Sequence, residues 1–191
     1  MRIALLAAAL LGALAVVLGL VVERGGDEPD FRGSQPPAGI ELPDSAYAVA
    51  PELRGKVAAV TFLDSQCTDA CPIVAAQIGD AMRSLRVDRS EVVAVAFSVD
   101  PVNDTPARIR SFLARFRAQH ELRYVDAPVA RLRPVWTAFQ IQPSVDTGSS
   151  NLHSVPVRIY DAEGRWRSTL HPGVDLTPAN LAHDLETALK T

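Results

Sequence analysis

The chain has 191 residues, of which 48% are hydrophobic and 21% charged, with a formal net charge of −3. That length provides one globular domain of about 150 residues with a real core, plus a short accessory segment, and makes two domains a stretch. No basic stripe able to follow a phosphate backbone is present, so nucleic acid is left out of the expected partners.

Residues 3–22, IALLAAALLGALAVVLGLVV, are uninterrupted by charge, with Arg2 before them and Glu23-Arg24 after. As a helix such a run is about 30 Å long, the thickness of a bilayer's hydrocarbon core. No small-residue cleavage pattern follows it, so an uncleaved anchor over residues 1–24 is expected in preference to a removed signal. A core helix would show a polar face, and this run has none. No cysteine near the run offers a point for a lipid. The positive charge ahead of the span predicts that the N-terminus stays in the cytoplasm and the rest is exported, to a compartment that permits disulfides.

Residues 25–40, rich in Gly, Pro and polar side chains, read as a flexible linker, leaving 41–191 for the domain. VAAVTFL (57–63) and VVAVAF (92–97) are the continuous apolar runs of strands covered on both faces. Between them, Ile73, Val74, Ile78, Met82 and Leu85 follow helical spacing, with Pro72 in the first turn. Thr105-Pro106 opens a helix expected to reach about His120, with Ile109, Phe112, Leu113 and Phe116 on one face. LRYVD (122–126) reads as a short strand and 129–139 as a helix interrupted or bent at Pro134. VPVRIY (155–160), the turn DAEG and RWRSTL (165–170) form a hairpin, and Thr177-Pro178 starts a last helix. The whole is an α/β fold with a central sheet flanked by helices.

Both cysteines fall in TFLDSQCTDACPIV (61–74), where a strand ends and a helix begins. Open α/β sheets carry ligand chemistry at that edge, and unpaired N–H groups at a helix start favour thiolate. Cys67 and Cys71 are four positions apart, and three readings stand: a structural disulfide, a redox pair or a metal clamp. A disulfide closing so short a loop removes little unfolded-state entropy, which disfavours the first. The pair alone does not decide between the other two, because a metal site needs a third ligand. His153, just ahead of a strand at the same sheet end, is the best candidate. His120 and His183 lie toward helix ends, where the dipole accounts for them, and His171 reads as a loop residue. Two thiolates and an imidazole form a soft site that suits Cu(I) and takes Cu(II), whereas zinc usually requires a fourth ligand.

Taken together, RGK (54–56), the Cys-x-x-x-Cys-Pro core, FSVDPVNDTP (97–106), PVWTAF and LHSVPVRIYDAEGR (152–165) resemble the Sco/SenC family over residues 54–190. The resemblance implies a thioredoxin-like fold on a membrane anchor. It also implies Cys67 and Cys71 as copper ligands, or a disulfide when oxidised, with His153 completing the site. The implied role is a copper chaperone, not an enzyme with turnover, serving the binuclear copper centre of cytochrome c oxidase. The alternative is a membrane-tethered thiol-disulfide oxidoreductase acting on that copper-bearing subunit or on another exported copper or thiol protein. Asp69 matches an acidic position between the cysteines, though a helix N-cap explains it as well. Asp100 and Asp104 match the family loop, and Asp104-Thr-Pro is also ordinary helix-start chemistry. Two departures stand out. Thr68 replaces the proline usual after the first cysteine, which is expected to loosen the loop, and the strands before Gly55 are expected to be abbreviated.

Overall fold

In the computed structural model, which describes residues 29–153 and 155–191, Val57–Leu63 forms strand β1, buried at every position. It lies at the centre of one sheet with β2 (Val92–Ser98), β3 (Arg123–Val125), β4 (Val157–Tyr160) and β5 (Trp166–Leu170), in the order β3-β2-β1-β4-β5. β1, β2 and β3 are parallel, whereas β4 runs antiparallel to both β1 and β5. Because β4 opposes β1, the start of β4 and the end of β1 share one edge of the sheet.

Alternate residues of β1 supply two cores. Val57, Ala59 and Leu63 face helix α2 (Ala70–Ser84), α3 (Pro106–Arg115) and α6 (Pro178–Ala188), meeting Val74, Ile78, Phe112 and Leu181. Ala58, Val60 and Phe62 face α1 (Asp44–Val49) and α4 (Val129–Phe139), where Phe139 stands edge-on to Phe62 at 5.0 Å between ring centres. A strand with two apolar faces must read as a continuous run, which is why 57–63 and 92–97 were recognisable.

Several elements differ from the sequence reading in their bounds. The helix from Pro106 stops at Arg115; Arg117 adopts a left-handed φ of 56° and Ala118 closes the end by donating to the Leu113 carbonyl at 2.8 Å. α4 continues through Pro134, because both Pro134 and Ala130, whose carbonyl loses its helical partner there, are exposed to water. β4 begins at Val157, since Pro156 has no N–H for the ladder. A short helix, α5 (Ser144–Thr147), and α1 carry too little periodicity to be read in advance.

Among the described residues, the segment before Gly55 makes two isolated bridges to β5 and its turn, Ser34 with Thr169 and Glu41 with Arg165. Its start is held by Asp184 of α6, whose carboxylate accepts the N–H of Arg32 at 2.6 Å, that of Gly33 at 3.1 Å and the Ser168 hydroxyl at 2.6 Å. The apolar run 3–22, expected as an anchor, lies outside the described residues. Among the described residues no helix is long and apolar enough to cross a membrane.

Candidate metal centre

β1 hands the chain to a loop, residues 64–69, that is tied down before it reaches the first cysteine. Ser65 N–H donates to Asp104 Oδ1 at 2.9 Å, and Gln66 N–H to Asp64 Oδ1 at 2.8 Å. Asp104 is buried, and its other oxygen accepts from the Ser98 and Tyr124 hydroxyls, each at 2.6 Å. Tyr124 OH also lies 2.8 Å from the Leu63 carbonyl. The ends of three adjacent strands therefore converge on one carboxylate that carries the loop. Asp64, also buried, has its carboxyl group held above the usual range by desolvation.

Cys67 N–H then donates to the Asp64 carbonyl at 3.2 Å, turning the first thiol inward, and Cys71 follows as the second residue of α2. Both sulfurs are unbonded to each other, with Cys71 fully buried and Cys67 6% exposed. Asp69 occupies the N-cap of α2, yet its side chain makes no capping bond.

His153 arrives from the far end of the sequence. Val145 N–H in α5 donates to the Val99 carbonyl at 3.1 Å, fixing the connection to the end of β2, and the chain passes through residues 149–153 before β4. Asn151 bonds the cysteine loop there: its Oδ1 accepts Thr68 N–H at 3.0 Å and its Nδ2 donates to Thr68 Oγ1 at 3.3 Å. His153, half-buried, places Nε2 3.3 Å from Cys71 Sγ.

One ligand atom each from Cys67, Cys71 and His153 lie within 4.8 Å of one another, the sole such convergence of metal-ligating side chains among the described residues. An ion about 2.3 Å from each sulfur and about 2.0 Å from the nitrogen would set three coplanar ligands roughly 4 Å apart, so the cluster closes on one ion with small shifts. Two sulfurs and one imidazole form a soft, three-donor set. His120, His171 and His183 do not belong to it.

The two thiols are electrostatically unequal. The Cys71 thiol bonded to Cys67 draws the latter's pKa down to about 4, helped by the His153 side chain and the backbone N–H groups of Cys71 and Asp69, against the opposing effect of burial. Burial pushes Cys71 upward, and its bond to Cys67 adds to this. The two influences act in opposite directions, favouring the thiolate at Cys67 and the thiol at Cys71.

Sequence reasoning missed Asn151 and the bridging role of Asp104 and Tyr124. Asp104 was visible as part of the family loop and as helix-start chemistry, but Thr105 is the cap of α3, accepting from Arg108 N–H at 3.3 Å. Asp100 is likewise part of the local scaffold, accepting from Asn103 Nδ2 at 2.8 Å.

A mixed five-stranded sheet with helices on both faces, carrying a paired-cysteine loop at the C-terminal end of β1, defines a thioredoxin-like protein with a cysteine–histidine site. Within that class the relationship is specific: a model of the SCO1/SenC family matches residues 46–190, and the chain belongs to this family. A similar solved structure is that of Bradyrhizobium japonicum ScoI with copper bound, 28% identical, with a TM-score of 0.60, covering 73% of this chain and 88% of that one. Yeast Sco1 shares the fold at 20% identity and a TM-score of 0.59, over 72% of this chain and 86% of that one. The SCO1 protein homolog of Bacillus subtilis is 33% identical over 64 residues, 34% of this chain and 33% of that protein. The match thus spans about a third of that curated relative's length.

Proposed function

We propose that this chain is a copper chaperone that holds one Cu(I) between Cys67, Cys71 and His153 and passes it to a partner, the copper-bearing subunit of cytochrome c oxidase or another exported copper or thiol protein. The observation that carries this is the convergence of two sulfurs and one imidazole within 4.8 Å at the C-terminal edge of the sheet. Copper is cargo here. A three-donor site holds a soft ion firmly and leaves an open side on which a recipient's ligand can enter before the donor's leave. The copper-bound state of the Bradyrhizobium relative supports the choice of metal. In this reading residues 1–24 anchor the protein and residues 41–191 work on the extracytoplasmic side.

The test is competition of the reduced domain against a Cu(I) chelator. One tightly held copper per chain is expected, abolished in Cys67→Ser and Cys71→Ser and weakened in His153→Ala, with Cu(II) more affected than Cu(I). Retention of tight binding in either cysteine variant would place the clamp elsewhere.

The unequal thiols favour a second activity on the same pair. A thiolate at Cys67 with a protonated Cys71 beside it is suited to attack a partner's disulfide and then resolve the mixed disulfide. His153→Ala separates the two: copper retention falls while exchange with a model disulfide persists.

A further inference from the structure

Beside the metal centre runs a groove of about 460 Å³ whose lining includes Cys67, Pro72, Arg108, Phe112, Arg115 and Phe116. No acidic side chain lines it. Arg108 and Arg115, two turns apart on α3, are exposed on the same side of the helix. Arg108 Nη1 donates to the Asn103 carbonyl at 2.9 Å, and the Arg115 guanidinium stands 5.6 Å from the centre of the Phe116 ring. Neither meets a carboxylate within ion-pair distance among the described residues, and of the arginines without such a partner these two line the groove beside Cys67. Arg108 also sits in the first turn of α3, where the helix dipole disfavours a cation. In a chain of net charge −3, a wall with two unpaired cations beside the first cysteine is a local reversal of sign.

We propose that this groove is the docking site for an acidic, cysteine-bearing segment of a partner protein, whose carboxylates meet Arg108 and Arg115 while its sulfur comes to Cys67. The inference rests on the reading of Cys67 as the exchanging sulfur: it is the cysteine that lines the groove, while Cys71 is fully buried behind it. Charge complementarity selects the carboxylates. The apolar lining from Phe112, Phe116 and Pro72 suits a peptide over a small anion. In the exchange step, the Cys67 thiolate attacks one sulfur of a peptide disulfide, forms a mixed disulfide and releases one peptide thiolate. Cys71 then gives up its proton and attacks Cys67 Sγ, releasing the second peptide thiol. The protein loses two electrons to become a disulfide, and the peptide disulfide gains them.

The experiment compares two synthetic peptides, each a symmetrical disulfide, with the cysteine flanked by glutamates in one and by lysines in the other. At low ionic strength the reduced protein is expected to react about tenfold faster with the glutamate peptide. That preference should collapse in R108Q/R115Q, in Ser111→Glu, which adds a carboxylate to the groove, and at high salt. Equal rates for the two peptides, or a preference that survives in both variants, overturns the proposal. So does absence of reaction with either peptide when iodoacetamide also fails to alkylate Cys67, since the groove then gives no access to the sulfur. If glutathione disulfide matched the glutamate peptide in rate and in sensitivity to the variants, the occupant would be a small anionic thiol and the peptide assignment would fall. Cu(I) affinity of the same samples separates the two readings: a charge preference in a protein that binds no copper sinks the chaperone reading and leaves the docking groove standing.

Discussion

The Thr68 N–H donates to Asn151 Oδ1 at 3.0 Å, and Asn151 Nδ2 returns a bond to Thr68 Oγ1 at 3.3 Å, joining the cysteine loop to the loop that carries His153. The proline that the family resemblance leads one to expect at this position has no N–H to give. Threonine was expected to loosen the loop; instead it exchanges the rigidity of a fixed φ for a tie across 83 residues of sequence.

Asn151→Ala is therefore expected to release the His153 loop without unfolding the domain. Both partners are exposed, so the stability change should stay within about 1 kcal/mol. Copper affinity should fall part of the way toward that of His153→Ala. Thr68→Pro removes the same N–H, and the double variant should cost little more than either single change. Additive losses in that cycle would show that the two residues act independently.

Asp104 holds the cysteine loop from below. Asp104→Asn keeps the shape of the side chain and discharges the acceptor of Ser65 N–H and of the Ser98 and Tyr124 hydroxyls. A loss of about 2–3 kcal/mol in denaturant unfolding is expected, since these bonds are buried and charge-assisted. Tyr124→Phe removes one of them and should cost about 1 kcal/mol. A neutral outcome for Asp104→Asn would mean that the strand ends hold the loop without it.

Much of this architecture was legible because it is written in local patterns. The apolar runs of β1 and β2, the helical spacing from Ile73 to Leu85 and the hairpin around the DAEG turn all announce themselves within ten or so residues. Cys67, Cys71 and His153 were legible as chemical types at one sheet edge, although nothing in their spacing measured their mutual distance. Asn151, Tyr124 and Asp184 were not legible. Each acts through a hydrogen bond to a residue far along the chain, and a polar residue in a loop or on a helix looks the same whether its partner is water or a distant backbone group. α4 shows the opposite failure: Pro134 is a strong local signal for a break, overridden because the carbonyl it orphans is solvated.

The unequal thiols predict a pH dependence whose sign follows from their shifts. Cys67 has its folded pKa lowered from the ordinary 9.0 to about 4, so between those values the unfolded chain binds the extra proton. Stability of the reduced protein is then expected to rise with pH across that window, to be fully expressed near pH 9, and to be lost as pH falls through about 4. Cys71 is shifted the other way, so its contribution is complete below the ordinary thiol value and declines above it. Ultraviolet thiolate absorbance of the reduced protein should report one thiolate per chain at neutral pH. In Cys71→Ala the largest influence lowering Cys67 is gone, and the midpoint should move up from about 4. A midpoint unmoved by that substitution would assign the shift to the helix start and His153 instead.

Asp184 gives the last expectation, at the end of the domain's N-terminal segment. Fully buried in α6, it takes two backbone N–H groups from Arg32 and Gly33 and a hydroxyl from Ser168, and so fastens residues 31–34 along β5. Gly33 is required there for closeness: a Cβ at that position would stand 2.5 Å from the Thr169 carbonyl oxygen. Asp184→Ala leaves the Gly33 N–H and the Ser168 hydroxyl buried without an acceptor and should cost about 2–4 kcal/mol, whereas Gly33→Ala should displace the segment while leaving the acceptor in place. Both are expected to speed amide exchange at Arg32, Gly33 and Ser34 and to expose the segment to protease. The segment bridges β5, two strands away from β1, whose end carries the cysteine loop, so Cu(I) affinity of Gly33→Ala measured at a temperature where it is folded should match the parent. A parallel loss of copper in Gly33→Ala would show instead that the N-terminal segment and the cysteine loop move as one unit.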